Sequence, residues 1–219
     1  MAALGSAASM IAHEVKNSLN GLKGATSLIS IGGDPALAAA SIRGQVDRLA
    51  HLASSLLSFG KPASARLSPT RLDEVAKEAV EGLKVLPEAA EVTLRLQLSS
   101  PITVEGDPLL LVSALDNLIR NAIEAAVASK DLGKNERPEV SVAAIIDGEM
   151  AVLTVEDNAG GPPANFEANL FQPFVSSKPK GIGLGLAMAH RALEQQGGSL
   201  SFSRTPAGSR FTARLKLRP

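Results

Sequence analysis

The sequence predicts an α+β protein: an N-terminal helical hairpin followed by a two-layer α/β sandwich. Three observations predict it. Residues 2–60 are rich in Ala, Ser and Leu, with apolar residues at helical spacing. Residues 60–69 carry two prolines and two serines but few large apolar side chains, the composition of a linker. Beyond them, runs of alternating apolar and polar residues interleave with further helical segments, the pattern of strands layered against helices.

The elements follow in order. Leu4, Ala8, Ile11, Val15, Leu19, Leu22 and Ile29 fall on one stripe of a first helix, which Ile31-Gly32-Gly33 ends. Asp34-Pro35 opens a second helix, with Asp as N-cap and Pro at the first helical position. Its stripe is Ile42, Val46, Leu49, Ala53, Leu56 and Phe59. Burying one Leu-sized side chain contributes about 1.5–3 kcal/mol. A hairpin this small leaves its stripes to be covered by a second copy, as a four-helix bundle, or by the rest of the same chain; bundle logic favours the second copy.

After the linker, residues 72–83 read as a helix, and residues 92–98 and 102–105 as strands. Asp107-Pro108 is another N-cap and N1 pair, opening a helix to about Ala128. Residues 140–146 and 151–156 read as partner strands. A helix follows Gly185 and stops at Gly197-Gly198, and residues 200–204 and 211–217 close the chain as a hairpin.

Composition narrows the function. The chain has 219 residues, 45% of them hydrophobic, enough for a core. The 22 Lys and Arg balance 22 Asp and Glu, which argues against a general nucleic-acid binder. There is no Trp or Tyr to stack bases. Absence of Cys removes disulfides, thiolate metal sites and thiol nucleophiles. No apolar run reaches the roughly 20 residues that span a bilayer, and no signal-peptide pattern opens the chain, so no membrane contact by this segment is expected.

Four groups of residues can carry chemistry. His13 points away from the first helix's apolar stripe, where a histidine is usually only a surface side chain. Glu14 can hydrogen-bond one ring nitrogen and leave the other as a nucleophile, and Asn17 lies one turn on, on the same face. Asn117 and Asn121 project together from an otherwise apolar helix, as ordinary surface amides or as oxygen ligands for a hard cation such as Mg²⁺. Asp157, followed by Asn158-Ala159-Gly160-Gly161, is a plain turn or an acceptor for a ligand's exocyclic amine. Gly181, Gly183 and Gly185 precede a helix, where exposed N–H groups and the helix dipole favour phosphate. Lys178 and Lys180 add positive charge there or are solvated loop lysines.

Together and in this order, these segments resemble a sensor histidine kinase of two-component systems. His13-Glu14-Val15-Lys16-Asn17-Ser18-Leu19 resembles the phosphoacceptor box and residues 117–126 the N-box. Residues 157–161 resemble the G1 box, Leu170-Phe171-Gln172-Pro173-Phe174 the F-box, residues 181–186 the G2 box and Gly208-Ser209-Arg210-Phe211 the closing glycine motif. The resemblance implies a dimerisation and phosphotransfer hairpin over 1–60, a linker over 61–66 and a Bergerat-type ATP-binding domain over 67–219. It implies that His13 takes the γ-phosphoryl group of ATP, activated by Glu14, and that Asn17 serves the reverse phosphatase reaction. Asn121, with Asn117, would hold Mg²⁺ and phosphates. Asp157 would bind the adenine amine, residues 160–180 would form an ATP lid, and Gly161, Lys178, Gly181, Gly183 and Gly185 would line the nucleotide.

The implied partners are a second copy through residues 1–60 and the receiver domain of a response regulator. The implied setting is the cytoplasm, free or tethered to a membrane sensor outside this chain. Related gyrase and chaperone ATPases carry a water-activating Glu where this sequence has Asn117, which favours transfer to His13 over hydrolysis. The alternatives are a phosphotransferase relay with a degenerate ATP domain and a Bergerat-type ATPase. Three departures stand out: Ser18 replaces the family's usual Pro, Ala159 the first G1 glycine, and Glu124 a frequent Lys.

Overall fold

The computed structural model describes residues 2–60, 65–98, 101–178 and 181–218. Within the helices, the side chains of residues 2–10, 13, 14, 51, 55 and 58–60 lie outside that description. The expectations for the side chains of His13 and Glu14, for Lys180 and for linker residues 61–64 fall outside it. The chain divides into two compact units, residues 1–62 with 174–184, and residues 63–173 with 185–219.

In the first unit, α1 (Ala2–Ser30) and α2 (Pro35–Gly60) pack along each other. Gly32, at φ +76°, and the bond from Gly33 N to Leu28 O (2.9 Å) close the first helix. Asp34 Oδ1 accepts from Ala36 N at 2.8 Å at the start of the second. A Cβ on Gly21 would lie 2.8 Å from Gln45 Cδ, so the glycine leaves room there for the Gln45 side chain of α2.

The buried face is rotated from the expected stripe. Ser18, Ala25, Ala38 and Leu52 are buried, whereas Leu19, Ile29 and Val46 are about half exposed. Three of these four buried residues are small. The helix α1 continues unbroken through Ser18, whose Oγ is buried and has no hydrogen-bond partner.

In the second unit a five-stranded sheet runs in the order β2-β4-β5-β7-β6. The strands are β2 (Thr93–Leu98), β4 (Glu139–Asp147), β5 (Met150–Asp157), β6 (Ser199–Arg204) and β7 (Ser209–Lys216). Only β2 and β4 are parallel neighbours; the other pairs are antiparallel. The helices α3 (Leu72–Leu83), α4 (Pro108–Asp131) and α5 (Gly185–Glu194) form the second layer. Leu72, Leu83, Leu118, Ile119, Ile123, Val140, Val155 and Leu215 fill the space between the layers.

Three short elements were not expected. Ser68–Arg71 is a strand, β1, paired antiparallel with β3 (Thr103–Gly106), rather than the end of a linker. Pro69 is tolerated because the pair is a two-stranded edge. Short 3₁₀ helices occupy Pro87–Glu91 and Ala164–Asn169.

Candidate nucleotide-binding site

Helix α4 supplies the two asparagines. Its start is fixed by Asp107, whose Oδ1 accepts from Leu109 N and Leu110 N at 3.1 and 3.2 Å, with Pro108 at the first position. Asp107 Oδ2 also accepts from Arg66 N (2.8 Å), and Asp107 N donates to Gln196 Oε1 (2.7 Å). Asn117 and Asn121 fall on the half-buried face of α4, one turn apart. Asn117 Nδ2 donates to Ser113 O at 2.9 Å. Its Oδ1 lies 3.1 Å from where a Cβ on Gly185 would sit. The asparagine carboxamide and the N-terminus of α5, expected as separate motifs, are therefore adjacent.

Asp157 ends β5, the central strand, and is buried. Its Oδ1 accepts from Ala159 N (2.9 Å) and Ser209 N (3.3 Å), which fix the carboxylate plane. A Cβ on Gly208 would come within 2.2 Å of Asp157 O and 2.7 Å of Asp157 Oδ1, so glycine is required for the backbone to pass there. Gly160 and Gly161 follow at φ +84° and +77°. Asn158 braces the other side: its Oδ1 accepts from Asn135 Nδ2 (2.7 Å) and Glu139 N (2.9 Å). None of Gly208, Ser209, Asn135 or Arg204 entered the expected site. Their partners are distant in sequence, and only the closing glycine motif carried a signal.

In the other unit, Gly181 N donates to Lys178 O at 3.1 Å, and Lys178 N to Ser176 Oγ at 3.1 Å. Phe174 N donates to Gly183 O at 2.8 Å. Gly183 has φ +72°, and a Cβ there would meet Val175 O at 2.5 Å. This segment is a tight, self-bonded loop that needs its glycines. Asn17 is exposed on α1.

His190 of α5 has two neighbours. Its ring stacks on Phe171 of the F-box segment, centroids 4.9 Å apart and planes at 21°, and its Nδ1 lies 3.3 Å from Glu194 Oε2.

The donor set on α4 suits a hard cation that arrives with phosphates. Among the described residues no cluster of three or more His, Cys, Asp or Glu could hold a metal. The oxygens offered at Asn117 and Asn121 are amide oxygens, which suits an ion that keeps waters and leans on substrate phosphates. No described helix is long and apolar enough to cross a membrane.

The chain is 29% identical over 218 residues to sensor histidine kinase ZraS of Escherichia coli K12, covering 97% of this chain and 45% of that one. It is 32% identical over 216 residues to sensory histidine kinase/phosphatase NtrB of Salmonella typhimurium, covering 95% of this chain and 61% of that one. The chain thus spans about half to three-fifths of the length of these curated relatives. Its fold matches Acinetobacter baumannii histidine kinase AdeS with TM-score 0.72 at 21% identity, covering 94% of this chain and 98% of that one. It also matches histidine kinase ThkA, solved in complex with response regulator protein TrrA, with TM-score 0.77 at 20% identity, covering 99% and 62%. Residues 106–219, from the end of β3 through the last strand, match the family described as histidine kinase-, DNA gyrase B-, and HSP90-like ATPase, and the chain belongs to that family.

Proposed function

We propose that the chain is the core of an ATP-dependent protein histidine kinase. His13 attacks the γ-phosphorus of ATP, the bond to the β-phosphate oxygen breaks, ADP leaves, and phosphohistidine forms. The phosphoryl group then passes to an aspartate of a response-regulator receiver domain. Glu14 activates His13, and Asn17 serves the reverse, phosphatase reaction. The likeness to ZraS covers 97% of the chain, so it includes the helical segment that carries His13.

The observation that carries the reading is the meeting of Asn117 with Gly185. Backbone N–H groups at a helix start favour phosphate, and an amide stands beside them where the related ATPases have a water-activating Glu. Asn121 and Asn117 would hold Mg²⁺, which neutralises phosphate charge when bound. Phosphoryl transfer depends mainly on such positioning and neutralisation. Asp157, its plane fixed by two backbone N–H groups, accepts from the adenine amine. Gly161 gives the base close access to the turn. Lys178, Gly181 and Gly183 belong to the lid, which closes over the phosphates and excludes water.

The chain works as a homodimer through residues 1–60. Leu19, Val46 and Leu57 support this, because they form an apolar flank that the hairpin leaves about half exposed or more. The receiver domain docks on the hairpin around His13. The domain boundaries that follow are a phosphotransfer hairpin over 1–60, a linker over 61–66 and a catalytic domain over 67–219, at work in the cytoplasm.

The test is autophosphorylation with γ-labelled ATP and Mg²⁺, comparing wild type with His13→Ala. Acid-labile label on the wild type alone is the expected result. Phosphate release that survives His13→Ala would instead mark an ATPase, and absence of ATP binding a phosphotransfer relay.

A further inference from the structure

We infer that Arg204 is a positioning residue for recognition of the nucleotide base: it clamps the Gly160–Gly161–Pro162 turn beside Asp157 and ties that turn to the stem of the lid. The inference rests on the nucleotide-binding reading above and adds to it the residue that holds the base side in shape.

Arg204 is the last residue of β6, paired in register with Ser209 of β7. Its guanidinium meets three groups at once. Nη1 donates to Gly160 O at 3.1 Å, Nη2 donates to Pro162 O, and Nε pairs with Glu167 Oε1 at 2.5 Å. Glu167 lies in the 3₁₀ helix Ala164–Asn169, directly after the turn. The same β6–β7 hairpin grips the turn again, because Ala207 O accepts from Gly160 N at 2.9 Å. It also grips Asp157, through Ser209 N. The glycine at 161 is shaped to the clamp: a Cβ there would lie 2.9 Å from Arg204 Nη1.

The physical need is plain. Two successive residues at positive φ, both glycine, are the least constrained backbone a chain can have. Left alone, the turn would sample many shapes, and Asp157 would face a base in a pocket of variable width. A planar fork with five donors can hold two carbonyls and a carboxylate together, whereas a lysine offers one point charge. Arg204 touches no reacting atom in this role. It acts through the turn, so its effect belongs to the base end of the nucleotide and not to the phosphates. The base that a carboxylate acceptor selects is one with an amine at that edge. Guanine presents a carbonyl oxygen there and is rejected only while the pocket keeps its shape.

The experiment titrates ATP, ADP and GTP into the full chain by calorimetry, for wild type, Arg204→Ala, Arg204→Lys and Glu167→Gln, with a thermal melt of each. Arg204→Ala is expected to raise the Kd for ATP and ADP by the same factor, about tenfold, and to narrow the preference for ATP over GTP, with the melting midpoint within a few degrees of wild type. Arg204→Lys fails to restore the preference, and Glu167→Gln, which removes one contact of three, shows a smaller change in the same direction. An unchanged ATP Kd and ATP-to-GTP ratio in Arg204→Ala overturns the inference alone. So does a loss shared equally by ATP and GTP with a collapsed melting midpoint. A wild type without affinity for adenine nucleotides overturns the functional reading and the inference with it.

Discussion

Asn117 Oδ1 lies 3.1 Å from the point where a side chain on Gly185 would begin. The contact joins the middle of α4 to the first residue of α5, so the amide and the helix N-terminus share one small space. A methyl at 185 needs the carboxamide to yield by a few tenths of an ångström, and a branched side chain needs it to turn away. Gly185→Val is therefore expected to weaken ATP binding by about tenfold, or ~1.4 kcal/mol, with Gly185→Ala in between. Calorimetric titration reads both, and equal affinity across the series would separate Asn117 from the nucleotide.

Gly208 is a stricter case, because what a Cβ would strike is backbone. Asp157 O at 2.2 Å and Ala159 N at 2.8 Å cannot rotate aside as a side-chain tip can. Gly208→Ala should cost about 1–3 kcal/mol of stability, as overpacking in a well-filled site does. It should also displace Asp157 and abolish adenine-nucleotide binding. A urea melt measures the first and a titration the second. An alanine variant as stable as wild type would mean that the β6–β7 turn relaxes more easily than its bonds suggest.

The second unit was legible in the sequence wherever periodicity and capping agreed. Leu72–Leu83 forms over the residues read as a helix, and Asp107-Pro108 starts α4 because a carboxylate cap and a preset φ act at one junction. Strand β1 was not legible: Ser68 and Pro69 are turn-like residues, and only pairing with β3, more than thirty residues on, makes them a strand. The rotated face of the hairpin has a similar cause, since which side of a helix is buried depends on the partner helix packed against it, here the side of α1 that carries Ser18 and Ala25. The candidate site split the same way. Asn117, Asp157 and the glycines stand in short recognisable segments, whereas Arg204 and Gly208 matter through contacts dozens of residues away.

The dimer reading makes a prediction about size in solution. Leu57 is 67% exposed and shares an apolar flank with Val46 on α2. Covering each such side chain in a bundle contributes about 1.5–3 kcal/mol, so a buried charge there should dissociate the copies. Leu57→Glu together with Val46→Glu is expected to give a monomer by light scattering while helix content by circular dichroism is retained. A double variant that stays dimeric would place the interface elsewhere.

The last prediction concerns acid. Arg71 Nε and Nη2 donate to Asp73 Oδ1 and Oδ2 at 2.8 and 2.7 Å, at the first turn of α3. This bidentate hydrogen bonding holds the Asp73 carboxyl below its ordinary value of 3.8, against the opposing effect of burial. A carboxyl with a lowered folded-state value stabilises the fold above its unfolded value, and the contribution is lost as pH falls through the folded one. Asp73→Asn should therefore melt below wild type at pH 7. The gap should hold down to about pH 4 and close as the pH falls further, because the protonated wild-type carboxyl then resembles the amide. Thermal midpoints measured from pH 7 to pH 3 test this. A gap that stays constant across the range would assign the loss to packing at the start of α3 and not to the charge on Asp73.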